Sequence, residues 1–587
     1  MPRKLRVMLA TEGTYPYHLG GVSTWCDTLV KLVDDVEFTV FAVAMNPFVR
    51  SRFEFPESVE RVVTIPLWGT QDPSEHKEQM PFSEIFLQKQ RTTAEEVSRA
   101  FLPEFMSFLE QMRSSGENPE AVGYALAAMH RHFQVFDYRE TFKSELVWHA
   151  FRRFLHDAAE TGSWPEPSVF EAVQALGWIY HFFTVLNTPI PDVDVIHSSA
   201  AAFCGIAGIV AKVEYGTPYL LTEHGVYLRE QYLSVGRSNM SRFSKRFLLA
   251  TVRTIVRANL HFADRIAPVC AFNERWERML GAQPERIEVV YNGVSPHVFA
   301  PDSTEHDGPP RLLSIARIDP NKDIETLLRA MAIVHGHFPE VKLEVWGAVA
   351  VEDYHAQMVE LRHELGLDDV VLFQGHSQNP AELYHQADIL IQSSVSEAFP
   401  YSVIEGMMSG LPIVATDVGG TAEALADTGI TVPSREPARL AVAMIILLQD
   451  GDLRQRLGSA ARDRALSFFT IQRATDAYQS LYMGLADRAL PEVAASAGAA
   501  VGEDTLVAAG TTARQLMYLQ RAYALLRLGV PIAALDQFHR ALDVAPGGPA
   551  GPAILSQVAE IESELGAGAA AIQHYASAWI LSQVQSA

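Results

Sequence analysis

Residues 389–416 read ILIQSSVSEAFPYSVIEGMMSGLPIVAT. A short apolar run, Ile389–Gln392, stops at a polar loop. Helical spacing begins near Ser402, and a second apolar run follows at Ile413–Thr416. Strand, helix and strand in this order make a crossover between parallel strands, and the loop after the first strand opens at its carboxyl end. The rhythm extends backwards through Arg311–Ile315, Lys342–Val345 and Val370–Phe373. A second series occupies the first half: Leu5–Ala10, a helix near Val22–Val33, Glu37–Val43, then Val193–His197, Tyr219–Thr222 and Arg265–Val269. The fold class is therefore α/β, with two Rossmann-like domains facing each other across a cleft.

Between about Gln71 and Phe183 strand-like runs vanish and long helical stretches such as Thr93–Met112 and Glu145–Ala159 replace them. This reads as a helical insertion (71–183) in a first domain spanning 1–300. The second domain covers 301–470, and a helix at 471–489 crosses back to the first. Residues 490–512, rich in Ala and Gly, read as a linker. In the remaining 513–587, Gly529, Ala534, Phe538, Ala541, Leu542 and Pro546 have tetratricopeptide-like (TPR) spacing, repeated at Gly566, Ala571, Tyr575 and Ala578. A tail docked on its own domain is the equal alternative to a protein-binding module.

The 587 residues carry 47 Lys+Arg against 70 Asp+Glu, a net charge of −23, which excludes nucleic acid as the main partner. Three scattered cysteines, Cys26, Cys204 and Cys270, make neither a disulfide framework nor a zinc site. The longest uninterrupted apolar run, Ala200–Ala211, falls short of the eighteen or so residues of a membrane span, and the basic start MPRKLRVMLATEG reads as a first strand, not a signal peptide. A cytoplasmic enzyme is expected.

Arg317 and Lys322, in ARIDPNK, follow a strand and can project two fixed cations from its carboxyl end, as a diphosphate requires. Glu397 lies in the loop after Ile389–Gln392, and Glu405 lies inside the following helix. Carboxylates there can accept hydrogen bonds from vicinal hydroxyls, while the helix start and the amides of Ala398–Ser402 favour phosphate. Singly, such charges are more often surface ion pairs; their joint presence at successive strand-to-helix turns favours a site. Gly20 and Gly21, between the first strand and its helix, let bare backbone approach a phosphate. His224, in TEHG, sits at another strand end. His197 sits at a third and is read as structural. Asp192-Val193-Asp194 has the form of a metal-binding Asp-x-Asp but precedes its strand, the wrong end for a ligand, and reads as a turn.

Arg317, Lys322, Glu397-x7-Glu405 and the stretches GLPIVATDVGGTAE and VVYNGVSPHVF resemble the retaining nucleotide-sugar glycosyltransferases of family 4, which have the GT-B fold. The opening ATEGTYPYHLGGVSTW, the helical insertion and LTEHGVYLRE are similar to the cytoplasmic members acting in Pel-type exopolysaccharide synthesis. The resemblance implies a donor such as a UDP-hexose or UDP-N-acetylhexosamine and a growing polysaccharide acceptor, without metal or cofactor. It gives the donor diphosphate to Arg317 and Lys322, with Gly20 and Gly21. Glu405 takes the ribose hydroxyls, Glu397 the transferred sugar, and His224 a place near the reacting centre. Ala398, Phe399 and Ser402 complete the donor pocket. Pro400 departs from the Glu-Gly-Phe-Gly form and removes one backbone donor. Integral-membrane components of a polysaccharide synthase are the implied partners, recruiting the enzyme to the inner face of the membrane. A sugar-nucleotide epimerase of the same fold and a non-catalytic scaffold are the rival functions.

Overall fold

The computed structural model describes residues 4–70, 82–301 and 309–500. Beyond them it describes the helices Pro531–Val544 and Gly551–Glu564 and single positions around them, namely Gln515, Tyr518, Leu519, Ala522, Tyr523 and His574. Two six-stranded sheets organise the chain. The first contains β1 (Leu5–Glu12), β2 (Val36–Ala44), β3 (Val59–Pro66), β4 (Val195–Ser198), β5 (Tyr219–Leu221) and β6 (Arg265–Ile266), in the order β3-β2-β1-β4-β5-β6. The second contains β7 (Arg311–Ile315), β8 (Lys342–Trp346), β9 (Val371–Gly375), β10 (Ile389–Gln392), β11 (Ile413–Thr416) and β12 (Ile430–Val432), in the order β12-β11-β10-β7-β8-β9. Every pairing is parallel. Each order reverses once, between β1 and β4 and between β7 and β10, and crevices at the carboxyl ends of such strands are where ligands gather. The two-domain α/β expectation holds.

Helices cover one face of the first sheet. They include Leu102–Arg113, Pro119–Val135, Glu145–Glu160 and Val169–Phe182, and their buried Phe, Leu and Met side chains form one core with β1 and β2. A second helical stretch, Tyr227–Arg237 and Arg242–Phe262, joins this layer after β5. Gly123 lets the long helices meet: a Cβ there would fall 2.1 Å from the Phe262 ring. The helix expected over Thr93–Met112 is present, running through Arg113, with one wider π-type turn at Val97–Phe101 before Leu102–Arg113. Pro103, without an N–H, cannot bond to the carbonyl four residues back, and the helical ladder loosens there. Val169–Asn187 is apolar and long enough to cross a bilayer by composition, but Ala172, Ala175, Ile179 and Tyr180 are buried in the core.

The helix Ile471–Ala500 returns to the first domain, where Tyr478, Leu481, Tyr482 and Leu485 pack with Trp25, Leu29 and Phe38. It runs unbroken through 490–500, so that part of the expected linker is helix. Alanine, the best helix former, dominates those residues. Residues 501–512 lie outside the described residues. The chain passes between the domains twice, and the passages touch: Val294 bridges Thr470, and a Cβ on Gly293 would fall 2.4 Å from the Thr470 carbonyl oxygen. In the tail, Tyr518, Leu519, Phe538, Ala541, Ile554 and Val558 share a small core, and the helices Pro531–Val544 and Gly551–Glu564 pack as a pair. Much of the second repeat expected around Gly566–Ala578 lies outside the described residues.

The tail rests on the amino end of the first sheet. Arg540 reaches Asp192 at 3.0 Å, and Arg6 bonds both Asp192 at 3.1 Å and the Tyr518 hydroxyl at 3.0 Å. Asp194 accepts the Arg6 amide at 2.9 Å. Both aspartates of the Asp-x-Asp are therefore tied into contacts at the end of the sheet opposite the cleft.

Candidate functional site

The second domain holds its charged groups on loops fixed by backbone. Lys322 Nζ lies 2.5 Å from Glu397 Oε1, which also accepts from the Ser394 hydroxyl at 2.6 Å. Ser393 donates to the Lys322 carbonyl at 2.8 Å, Val395 N–H to the Asn321 carbonyl at 2.8 Å, and Thr416 to the Ser394 carbonyl at 2.6 Å. Gly419 and Gly420 lie against the loop's other side. A Cβ on Gly419, whose φ is +60°, would fall 1.7 Å from the Glu397 carbonyl oxygen, and one on Gly420 2.5 Å from that of Ala398. The glycines of DVGGTAE are thus needed by the glutamate loop. Arg317 is different: its side chain is largely exposed, and among the described residues it pairs with Asp319 alone, at 3.4 Å, so it can swing onto an anion.

The helix Tyr401–Met408 starts directly after this loop, with Pro400 as its cap. Among the described contacts the amides of Ala398, Phe399, Tyr401 and Ser402 donate to no protein acceptor, so this helix start offers open N–H groups beside Lys322. Pro400 removes one donor but accepts the amides of Val403 and Ile404 and so fixes the first turn. The Phe399 side chain points inward, packed against Tyr291 and Phe469, and its ring belongs to the core. Glu405 accepts from the Tyr384 hydroxyl at 2.6 Å, and the same hydroxyl reaches the Ser402 carbonyl at 3.2 Å. Burial raises the Glu405 carboxyl to about 7, outweighing the Tyr384 bond that lowers it.

The first domain meets these groups directly. Gly20 caps the helix Gly21–Leu32, and a Cβ on Gly21 would lie 3.1 Å from the Tyr401 ring, so the bare turn faces the start of the Glu405 helix. His224 stacks edge-on against Trp25 of that first helix, with ring centroids 4.4 Å apart. Its Nε2 is buried without a partner among the described residues, and burial lowers its pKa to about 3, so the ring is neutral. His197, by contrast, is satisfied on both nitrogens, by the Tyr482 hydroxyl at 2.7 Å and that of Thr222 at 2.8 Å. It ties the returning helix to the sheet and plays the structural part expected of it.

Other groups at this place escape sequence reasoning. The helix Tyr227–Arg237 is an arm reaching across the cleft. Arg229 donates to the Ser396 hydroxyl at 2.7 Å, next to Glu397, and Arg237 to Asn321 Oδ1 at 2.9 Å, next to Lys322. Glu230 on the same arm opens to the cleft and accepts no hydrogen bond from the described residues. Its pKa is raised by desolvation, with the charge of Glu397 adding and those of Arg229, Arg317 and Lys322 opposing. Its carboxylate covers Gly225, where a Cβ would come within 2.0 Å of Oε1. Behind His224, Glu223 and Glu277 are fully buried, and burial pushes both carboxyls up. Of these groups, Glu223, Arg229 and Glu230 lie in the run LTEHGVYLRE, quoted for its likeness, while Arg237 and Glu277 lie outside it.

Taken together, the cleft offers a cation held by a carboxylate, a mobile arginine, open amides and hydroxyl-accepting carboxylates, with a neutral histidine opposite. Such a set suits an anionic diphosphate joined to polyhydroxylated rings.

Comparison with known proteins agrees. Residues 299–464 match the family described as Glycosyl transferases group 1, and residues 5–285 match a domain of unknown function, DUF3492. A D-inositol 3-phosphate glycosyltransferase of Kribbella flavida is 29% identical over 310 residues, covering 49% of this chain and 71% of that protein. One from Corynebacterium diphtheriae is 30% identical over 239 residues, covering 37% of this chain and 54% of its own length. Sucrose-phosphate synthase from Thermosynechococcus elongatus shares the fold with a TM-score of 0.53 at 17% identity, over 82% of this chain and 99% of that one. Anabaena Alr3699/HepE, solved in complex with UDP, does so with a TM-score of 0.50 at 14% identity, over 81% and 99%.

Proposed function

We propose that this chain is a glycosyltransferase of the GT-B type, its second domain matching the group 1 glycosyl transferases, and that it transfers a sugar from a UDP-hexose or UDP-N-acetylhexosamine to a growing exopolysaccharide with retention of configuration. The observation that carries this reading is the Lys322–Glu397 pair, 2.5 Å apart, beside the open amides of the Tyr401–Met408 helix start. A donor diphosphate takes Lys322 and draws Arg317 in from solvent, and these cations with the amides stabilise the charge that grows as the nucleotide leaves. Glu397, released from Lys322, accepts the hydroxyls of the transferred sugar. Glu405 turns from Tyr384 to the ribose. The neutral His224 donates a hydrogen bond near the reacting carbon. No step calls for a metal. Attack on the face the diphosphate leaves is the course that the family resemblance implies. UDP as the nucleotide is supported by its presence in the Anabaena relative.

The resemblance of ATEGTYPYHLGGVSTW and LTEHGVYLRE favours a PelF-like role in Pel-type synthesis, at the cytoplasmic face of a membrane and recruited there by integral-membrane proteins. Incubation with a panel of UDP-sugars tests the reading: wild-type protein should release UDP, while Lys322→Ala and Glu405→Ala, with unchanged circular dichroism, should lose turnover by about 10²-fold or more. Full activity in both variants would refute it. An epimerised nucleotide sugar in place of free UDP would favour the rival epimerase.

A further inference from the structure

Among the described residues, one group of three metal-ligating side chains converges, and it lies in the tail, not the cleft. His539 comes from the helix Pro531–Val544, Glu562 from Gly551–Glu564, and His574 from the chain beyond. Their ligand atoms all lie within 4.8 Å of one another. His574 Nδ1 is 2.6 Å from Glu562 Oε2, and the two imidazole centroids are 5.8 Å apart. Glu562 is only 7% exposed, so its charge needs compensation that a single histidine hydrogen bond supplies in part. An ordinary ion pair would need two of these groups, and His539 makes a third converging on the same point.

We propose that His539, Glu562 and His574 bind a divalent cation of the zinc class. Two imidazoles and one carboxylate are the mixed nitrogen and oxygen set that zinc accepts, with a fourth position left for water; calcium and magnesium call for more oxygen ligands. Zinc–ligand bonds of about 2.0–2.1 Å in a tetrahedron put neighbouring ligand atoms about 3.4 Å apart. His574 Nδ1 and Glu562 Oε2, at 2.6 Å, would part to admit the ion, while contacts as long as 4.8 Å would draw in. The bound ion would join both described tail helices to the chain after them, a cross-link that suits a small unit with a small core of its own. The site is independent of the reaction in the cleft, from which it is separated by the first sheet.

Calorimetric titration of the tag-free, chelator-stripped full chain with zinc chloride, with metal content read by mass spectrometry, tests this. One zinc per chain with Kd below about 10 μM is expected. His539→Ala and Glu562→Gln should each weaken binding by about 10²-fold, His156→Ala at an exposed position should not, and zinc should slow proteolysis after residue 513 while leaving UDP binding unchanged. Less than stoichiometric zinc on the wild-type chain would overturn the proposal, whether or not the variants fold. Equal affinity in a folded His539→Ala/Glu562→Gln/His574→Ala chain would also overturn it.

Discussion

The two domains bring groups to the cleft in different ways. In the second, Lys322 and Glu397 stand on strand-end loops braced by their own domain through Ser393, Thr416, Gly419 and Gly420. In the first, a bare glycine turn and the arm Tyr227–Arg237 do the reaching, and the arm finds its anchors, Ser396 and Asn321, in the other domain. One half is organised before a ligand arrives, and the other is organised by contact with its neighbour. The donor side should therefore be intolerant of small backbone changes, while the arm should be graded in its effect.

The most damaging test of that contrast is Gly419→Ala. At φ +60° and with the Glu397 carbonyl oxygen in the way, the added methyl must displace the glutamate loop. Turnover should fall by 10²-fold or more, and the urea midpoint should drop by the equivalent of about 1–3 kcal/mol. Activity within threefold of wild type would mean that the loop is less rigidly held than its contacts indicate.

Glu405 gives a smaller, pH-dependent effect. Burial holds its carboxyl near 7, so it is half protonated at neutral pH, and only the ionised form accepts from both ribose hydroxyls. UDP affinity should rise as pH increases from 6 to 8, with a loss approaching tenfold at pH 6, and Glu405→Gln should flatten the dependence. Calorimetry at three pH values decides, and an unchanged slope in the Gln variant would assign the titration to another group.

Arg229→Ala should have the mildest consequence. Losing its bond to Ser396 removes one tie between the arm and the donor loop, and KM for the donor should rise severalfold with kcat little altered. In a double-mutant cycle with Ser396→Ala the two changes should be strongly non-additive. Additive effects would mean that the arm acts without that contact.

This contrast also explains what the sequence made legible. Parallel strands and the placing of Lys322 and Glu397 on carboxyl-end loops follow from short patterns whose parts lie within one domain, whereas the sequence offers the ion pair between the two only as the alternative to a site. The arm did not: Arg229 and Glu230 sit in a run quoted for its likeness alone, and nothing local says that they face residues near 320 and 396. The widened turn at Val97–Phe101 depends on one proline inside an otherwise helical pattern. The helix through 490–500 depends on alanine propensity outweighing a composition that also suits a linker. Asp192 lies at the amino end of its strand, where the sequence reading puts it, but its ties to Arg6 and to Arg540, the latter 348 residues away in sequence, have no local signal. The trio His539, Glu562 and His574 has no recognisable spacing because its members come from separate segments of the chain.

The paired passages at Val294 and Thr470 carry a mechanical consequence. Two connections lying side by side, close enough that Gly293 has no room for a side chain, act as the two leaves of one hinge. Separate connections at opposite edges would brace the domains against each other. Adjacent ones leave a single axis, so opening is a swing whose travel grows with distance from that line. In such a swing groups near the axis would keep their spacing, while those at the rim would part and meet again.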